Sequence, residues 1–228
     1  MADKFDPAHA HKLENPERLV ELPPAEIVRL LALRGDETIV DYGAGTGLFT
    51  VPVAAALSGG RVLAVDEHPA LLAYLEEKVA QAGLPEGRVV PVPTTDNSVP
   101  LPDGGADRVL MINVLHHVYD DPAAMAEVRR LLGPGGRLVV IDFAQMERPV
   151  GPPNDHVLSL EQVRSSVAGL GLRELSVYPP GDVGRYQIAV VAEMPRDAAV
   201  AHDTADGGAE AAPRSAFAAG GRDAAAGA

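Results

Sequence analysis

Three glycines at alternate positions, Gly43, Gly45 and Gly47, follow Asp41 and Tyr42 and lead into a stretch with helical spacing. The residues just before them, 38–43, form a short β-branched run, which puts the glycines at a strand-to-helix turn. Glycine there permits a tight turn and lets a ligand approach the backbone. The helix behind it offers unpaired N–H groups. The next acid to end an apolar run is Asp66, 23 residues beyond Gly43, with Glu67 beside it. A carboxylate after the second strand of such a unit can accept both hydroxyls of a ribose. Loop and acid together point to a nucleoside-bearing ligand. His116 and His117 follow a later apolar run, where the reaction centre of an open α/β sheet should lie. An imidazole titrates near neutrality and can take a phenolic or amine proton, which makes His116 the candidate base. His68, just after the acid pair, is expected at the surface.

These residues need a frame, and the chain supplies one by alternation. Apolar strands are predicted over residues 38–43, 61–66, 88–93, 107–113 and 137–143, with helical patterns after the first, second, fourth and fifth. Continuous apolar strands suit a sheet covered by helices on both faces, and alternating β and α implies parallel pairing with right-handed crossovers. Pro91 and Pro93 sit awkwardly in the third strand and suit its end better than its middle. Ser159 is the expected N-cap of the helix that follows the fifth strand. Two final strands with no helix between them must be antiparallel if they pair with each other. The expectation is an α/β, Rossmann-like three-layer sandwich with a seven-stranded, mostly parallel sheet and an antiparallel last strand. Residues 1–34 read as an N-terminal helical arm, 35–194 as the binding domain and 195–228 as a disordered Ala/Gly-rich tail.

Composition narrows the chemistry. The 19 basic and 32 acidic side chains leave a formal charge of −13, which disfavours nucleic acid and anionic membrane surfaces as partners. No cysteine is present, which removes disulfides, thiolate metal sites and thiol nucleophiles. No run of eighteen apolar residues or apolar leader is seen, so no membrane span and a cytoplasmic location are expected. His116, His117, Asp120, Asp142 and His156 fall near the ends of the fourth and fifth strands. No two of them have the H-E-x-x-H spacing of a zinc helix, so no metal is expected.

The glycines follow G-x-G-x-G rather than the dinucleotide pattern G-x-G-x-x-G, and an acid leads them by two. This resembles motif I of the class I S-adenosylmethionine-dependent methyltransferases. VLAVDEHP resembles motif II, TTDNSVPLPDGGADRVLMINVLHHV the third- and fourth-strand region, and LLGPGGRLVVIDF the glycine turn into strand five. The likeness spans residues 13–193 and is nearest the type 11 or UbiE-like branch.

The resemblance implies S-adenosylmethionine as cofactor and a small-molecule acceptor methylated by direct in-line transfer. It implies that Gly43, Gly45 and Gly47 lie beneath the methionine moiety, that Asp41 holds its amino group, and that Asp66 grips the ribose. It further implies that Asp96 and Asn97 face the adenine and that Asn113 lines the sulfonium end. Tyr42, at a position often aliphatic in such loops, and Glu67 complete the expected contacts. Residues Phe5, His9, His11, Lys12 and Leu13 resemble an arm closing over the cofactor. The linker 145–156, with Arg185 and Tyr186, is placed to wall an acceptor pocket. Two alternatives stand beside this reading: an NAD(P)-dependent reductase on a similar sheet, and a non-catalytic regulator that binds S-adenosylmethionine.

Overall fold

A computed structural model of the chain describes residues 10–197. Phe5, His9, the side chains of His11 and Lys12, and the predicted tail beyond Asp197 lie outside the described residues. Three short helices lead in: α1 (Ala10–Leu13), α2 (Glu17–Glu21) and α3 (Pro24–Leu31). Pro24 opens α3, where its missing N–H leaves no bond unmade. The alternating unit then runs β1 (Thr38–Tyr42), α4 (Thr50–Ala55), β2 (Arg61–Asp66), α5 (Pro69–Gln81), β3 (Val89–Pro93) and β4 (Ala106–Ile112). It continues with α6 (Leu115–Val118), α7 (Pro122–Leu131), β5 (Leu132–Phe143), α8 (Leu160–Gly169), β6 (Arg173–Tyr178) and β7 (Gln187–Glu193).

The seven strands form one sheet in the order β3-β2-β1-β4-β5-β7-β6. β1 to β5 pair in parallel, and β7 runs antiparallel to both β5 and β6. Alternate strand residues face opposite layers. Val40, Val109 and Val140 pack with Ala124, Val128 and Val163 of α7 and α8. Ile39, Leu110 and Ile141 pack on the other face with Ile27, Val53 and Leu75 of α3, α4 and α5. The expected three-layer sandwich is what forms.

Two local differences have physical reasons. Pro91 occupies the middle of β3, opposite Ala64, not its end. β3 is the sheet edge, where a residue without an N–H can sit without breaking a ladder. α4 is only six residues long, because the turn closed by the Gly47 amide on Ala44 carries the chain on to Phe49 first. The Ser159 cap follows expectation, and a second cap at Asp121 joins it. Ser159 and Gln162 form a reciprocal capping box on α8, and Asp121 accepts from the amides of Ala123 and Ala124 at the start of α7.

Candidate active site

The carboxyl ends of β1, β2, β4 and β5 converge, and the chemistry-bearing residues collect there. Asp41 is in β1 and almost fully buried, and Thr50 Oγ1 donates to its Oδ2 at 2.6 Å. Loss of hydration pushes the Asp41 carboxyl up to about 6, with the negative charge of Asp66 adding to the effect and the Thr50 bond opposing it. The glycine turn follows directly. The amides of Gly43 and Ala44 both donate to the Val65 carbonyl, at 2.8 and 2.9 Å, binding the loop to β2. Gly43 has φ 80°, and a Cβ there would meet Val114 Cγ2 at 2.4 Å. The residue after Asn113 therefore presses on the loop at a place where no side chain is tolerated, as Leu75 does at Gly47, where φ is 77° and a Cβ would meet its Cδ1 at 2.8 Å.

Asp66 closes the loop from the other side. Its Oδ2 accepts from the Gly45 amide at 2.8 Å, and its Oδ1 from the His68 amide at 2.9 Å. His68 Nδ1 also lies 3.1 Å from Oδ1. The expected surface position of His68 is thereby corrected: its side chain is 21 % exposed and folds back on the acid it follows. Glu67 is exposed at the same turn.

The adenine-side pair divides. Asp96 is exposed, and its carboxylate accepts from Thr94 Oγ1 and the Ser98 amide within its own turn. Asn97, at φ 65°, has both ends of its carboxamide engaged inside the protein. Tyr42 Oη donates to its Oδ1 at 2.9 Å, and its Nδ2 donates to Asp121 Oδ2 at 3.2 Å. Burial raises the pKa of the Tyr42 phenol, and the charges of Asp121, Glu127 and Glu67 add to the shift. The phenol is a fixed donor in this chain of bonds, which joins β1 to the start of α7.

Asn113, at φ 56°, donates its backbone N–H to Ile141 O, while its Oδ1 is buried without a hydrogen-bond partner. Asn113 also lines a narrow pocket of about 30 Å³ whose other walls include Arg18, Glu21, Phe49, Phe143, Val150 and Gln187. The linker after β5 contributes Val150 to this pocket. From β7 the contributor is Gln187, whose Oε1 accepts from the Tyr186 amide at 3.2 Å; Arg185 is exposed. Arg18 and Gln187 carried no spacing signal, since the pocket gathers them from opposite ends of the domain.

The histidines lie beside this pocket. His116 is 3 % exposed, with Nδ1 2.7 Å from Asp142 Oδ1 and its amide donating to Asp142 Oδ2 at 3.0 Å. Its ring packs 4.0 Å from that of His117 and edge-on to Phe143 at 6.3 Å. His117 keeps part of its side chain in solvent, yet lost hydration, then the proximity of His116, pushes its pKa down to about 4. Among the described residues no three His, Asp or Glu side chains are placed to hold a metal ion, and no helix is long and apolar enough to cross a membrane.

The N-terminal helices lean over the same end of the sheet. Leu13 Cδ1 lies 3.5 Å from where a Cβ on Gly45 would project. Glu14 pairs with Lys78 of α5, and Arg18 donates to Leu13 O at 2.8 Å while its guanidinium sits 5.4 Å from the Phe49 ring centre.

A loop of backbone at the end of β1, an acid at the end of β2 and an unpaired buried acceptor at the end of β4 fit S-adenosylmethionine as a ligand. Comparison with known proteins agrees. Residues 40–140 match the family described as "Methyltransferase domain". A demethylmenaquinone methyltransferase of Tropheryma whipplei is 32 % identical over 124 residues, 54 % of this chain and 49 % of that protein. A ubiquinone/menaquinone biosynthesis C-methyltransferase UbiE of Syntrophotalea carbinolica is 33 % identical over 123 residues, 54 % of this chain and 51 % of its own length. The chain therefore spans about half the length of the curated relatives it matches. A SAM-dependent methyltransferase from Aquifex aeolicus superposes with TM-score 0.76 at 30 % identity, covering 84 % of this chain and all of that one. With the site geometry and this structural relative in accord, the chain belongs to the class I S-adenosylmethionine-dependent methyltransferases.

Proposed function

We propose that the chain transfers a methyl group from S-adenosylmethionine to a small-molecule acceptor that presents its reacting end to the narrow pocket beside Asn113. The observation that carries this reading is the contact between Val114 and Gly43. Val114 is the neighbour of Asn113, which carries the unpaired Oδ1 and lines the pocket, so the pocket wall is one residue from the contact with the glycine loop. When bound, S-adenosylmethionine supplies a methyl carbon already activated by its sulfonium. The chain's own task is to align and to exclude water, and alignment alone can contribute ~7–11 kcal/mol.

In this reading Gly43, Gly45 and Gly47 present backbone to the methionine part, and the Asp41 carboxylate takes its ammonium. Asp66 takes the ribose hydroxyls through the lone pairs that Gly45 and His68 leave open. Asn97 acts through Tyr42 and Asp121 to hold the adenine-side turn on which Asp96 sits. Leu13 and the helices after it close the cofactor side. His116 is off the pocket wall and bound to Asp142, so we assign it to fixing α6 on β5 and leave acceptor deprotonation outside its task.

The finer reading is that the acceptor is a hydroquinone-type ring. Its support is the named reactions of the two curated relatives, and a ring hydroxyl would give Asn113 Oδ1 the donor it lacks. The test is incubation with methyl-labelled S-adenosylmethionine and 1,4-dihydroxynaphthalene, followed by extraction of the naphthalene. Label in the methylated naphthalene with equimolar S-adenosylhomocysteine supports both readings. Cofactor binding without label transfer to that ring rejects the hydroquinone reading, and no binding rejects the methyltransferase reading itself. Binding without turnover on any acceptor class is the mark of the regulatory alternative.

A further inference from the structure

The segment 144–154 after β5 supplies Val150 to the pocket, yet Val150 is 55 % exposed, so core burial does not fix its place. Pro149, Pro152 and Pro153 carry no N–H, which leaves the segment short of donors for its own carbonyls. One side chain makes up the shortfall. The two N–H groups of Arg148 Nη1 are shared among Ala144 O at 2.8 Å, Met146 O at 3.1 Å and Asn154 Oδ1 at 3.0 Å. Its Nη2 donates to Pro152 O. The guanidinium lies 5.1 Å from the centre of the Phe143 ring, which forms another wall of the pocket. Its Nε is buried without a hydrogen-bond partner, covered by Gly151, where a Cβ would come within 2.8 Å of it and 3.3 Å of Phe143 Cε1.

We propose that Arg148, which does not itself line the pocket, is the positioning residue of the acceptor wall, setting Val150 and Phe143 by winding residues 144–154 around its guanidinium. The inference rests on the reading of this pocket as the acceptor site. A planar fork is required, because the acceptors it serves surround it and the ring it stacks on is flat. A lysine offers one flexible ammonium and can meet neither demand. Among the described residues the fork's hydrogen bonds all stay within 144–154 and reach neither the glycine loop nor Asp66, so acceptor and cofactor binding should separate.

The experiment compares the full-length chain with Arg148→Ala, Arg148→Lys and Gly151→Ala. It reads S-adenosylhomocysteine affinity by calorimetry, amide exchange across 144–154 by mass spectrometry, and kcat and KM for 1,4-dihydroxynaphthalene. We expect KM to rise about tenfold or more in all three variants with kcat within about threefold, since a lost wall weakens binding before it alters the reacting atoms. S-adenosylhomocysteine affinity should stay within about twofold, and segment exchange should quicken by about tenfold or more as its hydrogen bonds go. Unchanged KM in Arg148→Ala, a wild-type KM in Arg148→Lys, or a parallel fall in S-adenosylhomocysteine affinity would each overturn the proposal. If the parent protein binds no S-adenosylhomocysteine, the methyltransferase reading fails by itself. The role of Arg148 is then decided by segment exchange, with an unchanged rate in Arg148→Ala counting against it.

Discussion

The Gly45 amide donates to the Asp66 carboxylate across 2.8 Å, so the loop after β1 and the acid after β2 are one hydrogen-bonded unit. Preorganisation of this kind reduces the ordering that binding would otherwise demand. Asp66→Ala removes the ribose acceptor and the partner of two backbone amides together. We expect S-adenosylhomocysteine to bind about a hundredfold more weakly, consistent with one lost charge-assisted bond of ~1.5–3 kcal/mol and a loosened loop. Asp66→Asn keeps an acceptor oxygen and should lose less. Calorimetric titration of both variants checks the order.

Asp41 gives a pH dependence whose sign can be worked out. Its carboxyl titrates at about 6 in the free protein against an ordinary 3.8, so between those values the fold holds a proton that the unfolded chain has released. This group therefore favours the free fold at low pH, and the advantage is lost as pH rises through about 6. If its carboxylate takes the ligand ammonium, binding must expel that proton below pH 6. S-adenosylhomocysteine affinity should then level off above pH 7 and fall by up to about tenfold per unit below pH 6. Asp41→Asn should stabilise the free protein at pH 7.5, by up to about 3 kcal/mol, while weakening the ligand. Melting curves and titrations on the same samples check both halves.

Gly43 and Val114 make a steric pair that can be tested alone. Gly43→Ala places a Cβ 2.4 Å from Val114 Cγ2 on a backbone at φ 80°, and we expect a loss of about 2–4 kcal/mol. Gly43→Ala combined with Val114→Ala should recover the contact part and leave about 1–2 kcal/mol of backbone strain. Denaturant unfolding of the two variants measures the difference.

His116 and Asp142 are assigned a structural task, which gives a distinct expectation. His116→Ala strips a fully buried carboxylate of its side-chain partner and should cost about 1–3 kcal/mol of stability. The kcat of the folded fraction on 1,4-dihydroxynaphthalene should stay within about threefold. A base would show a loss of about 10²-fold or more.

Much of the frame was legible because its signals are local. The β-branched run before Gly43, the apolar run ending at Asp66 and the Ser159 capping box each lie within a few residues of the structure they specify. Pro91 was misplaced because its tolerance depends on β3 being an edge, which only the strand order reveals. The inward fold of His68 is hidden because the Asp66 carboxylate it meets is held in place by the Gly45 amide of another loop, a pairing that local spacing does not show. Asn97 stands beside an acid in a polar run, and nothing local tells that its carboxamide is spent on Tyr42 and Asp121. The pocket was least legible of all. Arg18, Asn113, Phe143 and Gln187 meet only after the sheet has closed, and no spacing in the chain anticipates their meeting.

The central claim is that this site binds S-adenosylmethionine through the loop at Gly43 and the acid at Asp66. The most direct measurement is calorimetric titration of the full-length chain with S-adenosylhomocysteine, which cannot turn over, and in parallel with NADH. The account predicts one S-adenosylhomocysteine per chain with affinity on the order of micromolar and no heat from NADH. Silence toward S-adenosylhomocysteine, or saturable binding of NADH in its place, would contradict it.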